Sequence, residues 1–237
     1  MPKRLIILGL ALCLLAACGG KIQIRPVEEL MAEGQAAWNK GKWSKAAEIY
    51  GQVRDYYPWH SRSATARLRA AEALFRDKNY PEALAAFETF EDLYPTHPEM
   101  AYILLRTAVC HFNQIPSPDR DMTEAEAAVK AFRRVTEVYP GSPQAEQAEE
   151  YLTQTYRVLI QHQIYVADYY RKTKAYEAAA GRYRQALSYP EVGYGPTLAA
   201  ELAIVEAKAK GEKPPKIKVP KPDVPDESWL ERLKFWE

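Results

Sequence analysis

The chain has 237 residues, of which 47% are hydrophobic, and this is enough for one large or two small folded domains. Its 32 Lys and Arg residues nearly balance its 31 Asp and Glu residues. This balance argues against a nucleic-acid-binding protein, because clustered positive charge supplies most of the affinity for a phosphate backbone. The three cysteines, Cys13, Cys18 and Cys110, are too few and too scattered for a disulfide framework or a zinc site.

Residues 1–17 are predicted to be a lipoprotein signal peptide. A short basic start precedes an apolar stretch over residues 5–15, which is too short to span a membrane but typical of a secretory signal. The stretch ends in Leu-Ala-Ala-Cys at Cys18, which resembles the bacterial lipobox, whose cysteine receives lipid and becomes the mature N-terminus. We therefore expect lipidation at Cys18, followed by a tether over residues 18–26. An ordinary signal peptide with an incidental cysteine is the alternative.

The residue after the lipobox bears on the destination of the chain. Gly19 stands where an aspartate tends to retain lipoproteins at the inner membrane, so an outer-membrane location facing the periplasm of a Gram-negative bacterium is favoured. Two or three acyl chains anchor a protein firmly. We therefore expect the chain to hang from a lipid without spanning the bilayer.

A repeated pattern follows, in which an alanine precedes a large aromatic residue by four positions and a proline comes some residues later. The four instances are Ala46, Tyr50 and Pro58; Ala83, Phe87 and Pro95; Ala128, Phe132 and Pro140; and Ala179, Tyr183 and Pro190. A repeat of this size indicates stacked helical hairpins. The predicted fold is all-α: a tetratricopeptide-repeat superhelix, or α-solenoid, with about four full repeats plus a capping helix. Such solenoids present long concave surfaces that bind other chains.

The N-terminal pair of repeats is predicted over residues 27–95. Apolar positions at helical spacing indicate a first helix over residues 27–39, and Ser44 is a plausible N-cap of the next helix. Gly34 and Ala46 are expected where the two helices cross, with Tyr50 filling the gap to the next unit. In the second unit Ala71 and Ala83 take the crossing positions, Phe87 is the filler, and Pro81 lies in a first helical turn, where proline is tolerated.

The C-terminal repeats and the capping helix are predicted over residues 96–210. The third repeat carries a proline-containing insertion over residues 115–121, after which Thr123 and Glu126 fit a capping box. In the fourth repeat, residues 143–172 contain no helix breaker and keep one apolar face, which predicts a single helix about 45 Å long. A helix over residues 175–188 follows, and residues 196–210 are expected to form the cap.

The last 27 residues change character. Residues 211–227 contain five prolines and four lysines without a helical period, which predicts a semi-rigid extended linker. Residues 228–237 predict a short amphipathic helix with an apolar face of Trp229, Leu230, Leu233 and Trp236. A lone helix of this length is marginal in water. It is therefore either a frayed terminus or a helix that folds on a partner or on the membrane surface.

No catalytic, cofactor or metal site is predicted. His60, His97, His111 and His162 lie apart, without the spacing of a zinc protease. The segment from Gly34 to Lys42 has the wrong spacing for a phosphate loop, and Trp43 occupies the position that requires Ser or Thr. We therefore expect a binding protein and not an enzyme.

The irregular segments between the repeats carry a more specific resemblance. They are Tyr94-Pro95-Thr96-His97-Pro98 with Tyr102 and Arg106, Asp119-Arg120-Asp121, Tyr139-Pro140-Gly141-Ser142-Pro143, and Tyr165-Val166-Ala167-Asp168-Tyr169-Tyr170 with Ala175-Tyr176, Ala179 and Arg182. With the lipobox, this pattern over about residues 15–210 resembles the BamD family, the tetratricopeptide-repeat lipoproteins of the outer-membrane β-barrel assembly (BAM) complex.

The resemblance implies an assembly factor that docks on the periplasmic domains of BamA through its C-terminal repeats and works with other BAM lipoproteins. It also implies that the N-terminal groove binds unfolded outer-membrane β-barrel proteins through their C-terminal β-strand signal. Helical spacing places six candidate groove residues on the inner helices of the first two units: Met31, Gln35, Trp38, Leu68, Glu72 and Phe75. The alternative for Trp38 and Phe75 is that they are packed between repeats.

Two other functions are compatible with the repeats alone. Another periplasmic tetratricopeptide lipoprotein could scaffold the cell-division or peptidoglycan machinery, although this leaves the Thr96-His97-Pro98 junction and the Asp119-Arg120-Asp121 loop unexplained. A hydrolase would require acidic residues that converge in a pocket, which the linear spacing does not indicate.

Overall fold

The computed structural model describes residues 24–224. The signal peptide, Cys18 and the apolar face of Trp229, Leu230, Leu233 and Trp236 lie outside the described residues. Between residues 24 and 224 the structure contains nine helices and no strand, which confirms the all-α prediction for this part of the chain. The helices are α1 (Val27–Asn39), α2 (Trp43–Tyr56), α3 (Ser63–Arg76), α4 (Tyr80–Leu93), α5 (Met100–Asn113), α6 (Thr123–Val138), α7 (Pro143–Lys172), α8 (Tyr176–Leu187) and α9 (Gly195–Ala209).

Each helix packs mainly against the helices before and after it in the chain, and α5 also contacts α7. The pairs α1–α2, α3–α4, α5–α6 and α7–α8 are four helical hairpins, and α9 follows as the cap. Four buried clusters of the described residues follow one another along the stack, and consecutive clusters share a helix, so that each hairpin covers the apolar face of its neighbour. Cys110 is buried in the central cluster. The predicted α-solenoid is confirmed.

The helix crossing of the first hairpin depends on a glycine. A Cβ at Gly34 would lie 2.7 Å from the ring of Tyr50, so only a residue without a side chain allows this approach. Ala46 and Tyr50 are both fully buried. Tyr50 therefore covers the glycine of its own hairpin, and its cluster also includes Ala66 and Ala70 of the next one.

Two predicted helix caps are wrong. Ser44 lies inside the first turn of α2, and its hydroxyl donates to Asp77 Oδ2 at 2.8 Å, a contact with the next hairpin. Thr123 begins α6 without a capping side chain, and its backbone N–H donates to Asp121 Oδ1 at 2.9 Å. An acidic residue of the insertion therefore satisfies the helix terminus that a capping box was expected to satisfy.

The long helix α7 is confirmed at 30 residues. The Ser142 side chain caps it by accepting the Ala145 N–H at 3.1 Å, and Pro143 occupies the first turn. His162, in the middle of α7, places Nδ1 2.7 Å from the Pro118 carbonyl oxygen. Because a carbonyl only accepts, this nitrogen carries the proton, and the contact holds the 115–121 insertion against α7.

Residues 211–224 contain no helix and fold back onto the end of the solenoid. The Asp223 N–H donates to the Gly193 carbonyl at 2.8 Å, and the Thr197 hydroxyl donates to the Pro220 carbonyl at 3.0 Å. Val224 packs against the apolar cluster that contains Tyr194. We call residues 211–224 the C-terminal strap, because they cover the loop between α8 and α9.

Candidate peptide-binding surface

Arginine and aromatic side chains from three inner helices meet on one face of the first three hairpins. We call this group the arginine–aromatic cluster; its members are Trp38, Arg69, Glu72, Phe75, Arg76, Phe87, Tyr102 and Arg106. They surround a recess of about 140 Å³. Helices α1, α3 and α5 supply all of these residues except Phe87, which comes from α4. The recess is therefore shared by three consecutive repeats.

The first contact of the cluster joins α1 to α3. The guanidinium carbon of Arg69 lies 5.2 Å from the centre of the Trp38 ring. Trp38 in turn packs edge-on against Trp43 of α2, with 5.0 Å between the ring centres. Arg69 also pairs with Glu72 on the same helix at 3.2 Å. This geometry leaves a half-buried indole beside a fixed cation.

The second contact joins α3 to α5. The guanidinium carbon of Arg106 lies 4.5 Å from the centre of the Phe75 ring and 5.0 Å from that of Tyr102. Its Nε donates to the Tyr102 hydroxyl at 2.9 Å. Phe75 is 2% exposed and packs edge-on against Tyr80 and Phe87. Phe75 thus forms the floor of the recess, and Arg106 lies over it.

The electrostatics of the recess favour a negatively charged ligand. Its lining contains three arginines and one carboxylate, that of Glu72. Burial raises the pKa of Tyr102 above its usual value; nearby Arg106 opposes this shift, while Glu72 adds to it. The phenol therefore stays neutral under physiological conditions. A neutral phenol, aromatic rings and an excess of guanidinium groups can together bind aromatic side chains and carboxylates.

The structure brings three of the six sequence-derived groove candidates together, namely Trp38, Glu72 and Phe75. Met31 is half-buried and packs against the N-terminal core. Gln35 is exposed, donates to the Asn39 side chain at 2.8 Å and accepts from the Tyr50 hydroxyl at 3.4 Å. Leu68 is buried in the central core and does not line the recess.

Sequence reasoning missed Arg69 and Arg76 as members of the surface. They are seven residues apart, with Glu72 between them, which places all three on one side of α3. This helical periodicity in the sequence could have identified both arginines as neighbours of Glu72. Tyr102 and Arg106 were singled out only through the family resemblance, and their spacing of one helical turn does not by itself show that they face α3.

A larger recess of about 710 Å³ lies between the outer helices α2 and α4, with α3 at its base. Small residues such as Ala47, Gly51 and Ala85 line it. Its charged lining is acidic on balance, with Glu48, Asp55, Asp77 and Glu82 against Arg54 and Arg67. This recess is therefore larger than that of the arginine–aromatic cluster, and its net charge is of the opposite sign.

A third surface surrounds the insertion between α5 and α6. We call it the insertion surface; it encloses about 460 Å³ and includes Asp119, Arg120, Asp121, His162, Gln163 and Arg182. Hydrogen bonds from Ser117 to Asp119 and from Thr123 to Asp121 lower the pKa of both carboxyl groups. Both therefore stay ionised at neutral pH. This surface is polar, carries charges of both signs and belongs to the third and fourth hairpins.

The described residues offer no group of three His, Cys, Asp or Glu side chains suited to a metal ion. Among the helices of residues 24–224, none has both the length and the apolar character needed to cross a bilayer.

Comparison with known proteins places these surfaces in a family context. Residues 24–211 match the family YfiO, described as outer membrane lipoprotein. The outer membrane protein assembly factor BamD of Neisseria gonorrhoeae is 32% identical over 200 residues, which cover 79% of this chain and 74% of the relative. That of Vibrio cholerae is 29% identical over 77% of this chain and 81% of the relative. That of Caulobacter vibrioides is 28% identical over 71% and 58% respectively.

Proposed function

Because the chain belongs to the YfiO family of outer membrane lipoproteins, we propose that its arginine–aromatic cluster binds unfolded β-barrel proteins. Its relatives carry the name outer membrane protein assembly factor BamD, and this chain is an assembly factor of the same kind. It is held at the outer membrane by lipid on Cys18, where the lipobox motif stands. It acts by binding and positioning other proteins and not by catalysis.

The observation that carries the proposal is the position of Arg106 over Phe75, together with that of Arg69 beside Trp38. An extended peptide that lies across α1, α3 and α5 presents alternate side chains to one face. An aromatic side chain can pack on the Trp38 ring, while a carboxylate at the peptide C-terminus pairs with an arginine. The cluster therefore suits the C-terminal strand of an unfolded barrel protein.

The insertion surface supports a second contact, with the periplasmic domains of BamA. It lies on the C-terminal hairpins, separate from the cluster, so one chain can hold a substrate and BamA at the same time. Its mixture of fixed carboxylates and Arg182 suits a polar interface in which ion pairs determine orientation. Other BAM lipoproteins complete the expected set of partners.

The substrate site is tested with a synthetic peptide matching the C-terminal strand of a barrel protein from the same bacterium. The variant R69Q/R106Q should bind it at least roughly tenfold more weakly, because each lost charged hydrogen bond is worth about 1.5–3 kcal/mol. R54Q is the matched control, since Arg54 lines the acidic recess between α2 and α4. Equal affinity of all three proteins would contradict the assignment of this site.

The assembly role is tested by purification from solubilised outer membranes and by depletion in the native bacterium. A BamA homologue should copurify, and outer-membrane barrel proteins should fall on depletion. Copurification with peptidoglycan or division enzymes, with normal barrel levels after depletion, would instead favour the envelope-scaffold alternative.

A further inference from the structure

The lipid tether is fixed to the turn between α2 and α3. The Tyr57 hydroxyl donates to the Arg25 carbonyl oxygen at 2.8 Å. The Arg25 guanidinium donates to Gln52 Oε1 at 2.9 Å and pairs with Glu33. The chain that leads from Cys18 therefore reaches the solenoid beside this turn, where side chains of α1, α2 and the turn hold Arg25.

The same turn carries the most exposed large apolar side chain of the described residues, Trp59, which is 97% exposed. Leu93, at the end of α4, is 51% exposed. Both line one shallow recess of about 410 Å³, together with Pro58 and Tyr94. Two exposed apolar groups therefore lie together on the edge of the solenoid where the tether arrives.

Few charged groups lie in the turn and the recess around Trp59. Arg62, at the end of the turn, lies 3.0 Å from Glu28 of α1. His60 accepts the Arg62 backbone N–H at 3.2 Å through Nδ1, and Arg67 lines the recess from α3. The described residues that line the recess include Arg67 and no Asp or Glu, so this lining would not repel an anionic lipid surface.

The tether is short. Six residue steps separate Cys18 from Ile24, and an extended chain spans at most about 3.6 Å per step, or about 22 Å. Lipid on Cys18 would therefore hold the Trp59 turn close to the membrane surface. Such a link gives the turn a high effective concentration at the bilayer, so even a weak contact would be populated.

We propose that Trp59, supported by Leu93, is a second membrane contact whose indole enters the headgroup region of the leaflet that holds the lipid anchor. Tryptophan suits this region because its ring is apolar and its N–H can remain hydrated. Together with the tether, this contact fixes the orientation of the first hairpins relative to the bilayer. The inference rests on lipidation at Cys18, which is part of the proposed function.

The test uses the acylated full chain in vesicles of phosphatidylethanolamine and phosphatidylglycerol. The difference in fluorescence between the wild type and Trp59→Phe isolates Trp59 among the five tryptophans. When the chain binds to vesicles, the emission maximum of this difference signal should shift to the blue. Vesicles whose lipids carry bromine on the upper acyl carbons should quench the same signal. The same subtraction with Trp38→Phe is the matched control, and its signal should be unaffected by the brominated lipid.

A longer tether tests whether the lipid anchor holds Trp59 near the bilayer. Insertion of a flexible Gly/Ser segment after Gly20 should reduce the quenching of Trp59, because the effective concentration at the bilayer falls with linker length. An acylated, vesicle-bound chain whose Trp59 signal matches that in buffer would overturn the membrane contact and leave the lipid anchor intact. So would a Trp59 signal that changes only when a barrel peptide or BamA is added, since it would mark a protein contact. If mass spectrometry shows no lipid on Cys18, the anchor and the inference both fail.

Discussion

Arg106 and Phe75 join two consecutive repeats, with the guanidinium carbon of Arg106 4.5 Å from the centre of the Phe75 ring. The two residues have different roles, one in the core and one at the surface. Phe75 is buried and belongs to the central core, whereas Arg106 is half-buried and lines the recess. Substitutions at the two positions should therefore have different consequences.

Replacing Phe75 with alanine should lower the free energy of unfolding by about 3–5 kcal/mol, because it removes a buried aromatic ring and leaves a cavity. Arg106→Gln should change stability much less and act mainly on peptide binding. Urea unfolding and peptide titration of the two variants measure the difference. A large loss of stability in Arg106→Gln would show that the arginine is a packing residue.

Gly34→Ala should destabilise the first hairpin by about 1–3 kcal/mol, because the new Cβ would meet the Tyr50 ring at 2.7 Å. Gly181→Ala is the matched control: Gly181 lies in α8, an added Cβ there would meet open space, and the change should stabilise the helix by about 0.5–1 kcal/mol. Thermal unfolding of the two variants should show shifts of opposite sign, and equal shifts would contradict the close approach at Gly34.

Alkaline pH should weaken the fold through four tyrosines. Burial raises the pKa of Tyr50, Tyr102, Tyr183 and Tyr189 in the folded state, and Asp168 adds to the shift at Tyr183. Since the folded chain holds these protons more tightly than the unfolded chain does, the stabilisation is complete below the unfolded tyrosine pKa of about 10. It should be lost as pH rises from that value through the higher folded values.

Urea midpoints measured across this range should fall with increasing pH. The tyrosinate absorbance of the buried groups should appear only at a higher pH than that of exposed tyrosines. Tyr183→Phe should lessen the pH dependence. A urea midpoint that stays constant above pH 10 would contradict the raised pKa values.

Gly193→Ala should detach the C-terminal strap. Gly193 has φ +98°, and a Cβ there would overlap the Asp223 carbonyl group. Gly211→Ala is matched in backbone conformation, with φ +74°, but has open space around it. Hydrogen exchange at Asp223 should accelerate in the first variant and remain slow in the second. Equal protection in both would mean that the strap does not depend on this contact.

The amino-acid sequence by itself determined where the helices are. The alanine–aromatic repeat, the prolines and the unbroken apolar face of residues 143–172 are local signals, since helix formation depends on residues within a few turns. The helices predicted over residues 27–39, 143–172, 175–188 and 196–210 accordingly lie close to α1, α7, α8 and α9. The small residues at the crossing, Gly34 and Ala46, also follow from the repeat itself.

The tertiary structure decided which faces meet. Ser44 was expected to cap its own helix, but it bonds to Asp77, 33 residues away. Leu68 and Phe75 are buried in the central core with residues of α4 and α5, while Arg69 and Arg76 remain at the recess. The strap closes on Gly193 through a backbone hydrogen bond that has no side-chain signature. Helix periodicity identifies an apolar stripe, but the partner that covers the stripe is set by packing between residues distant in sequence.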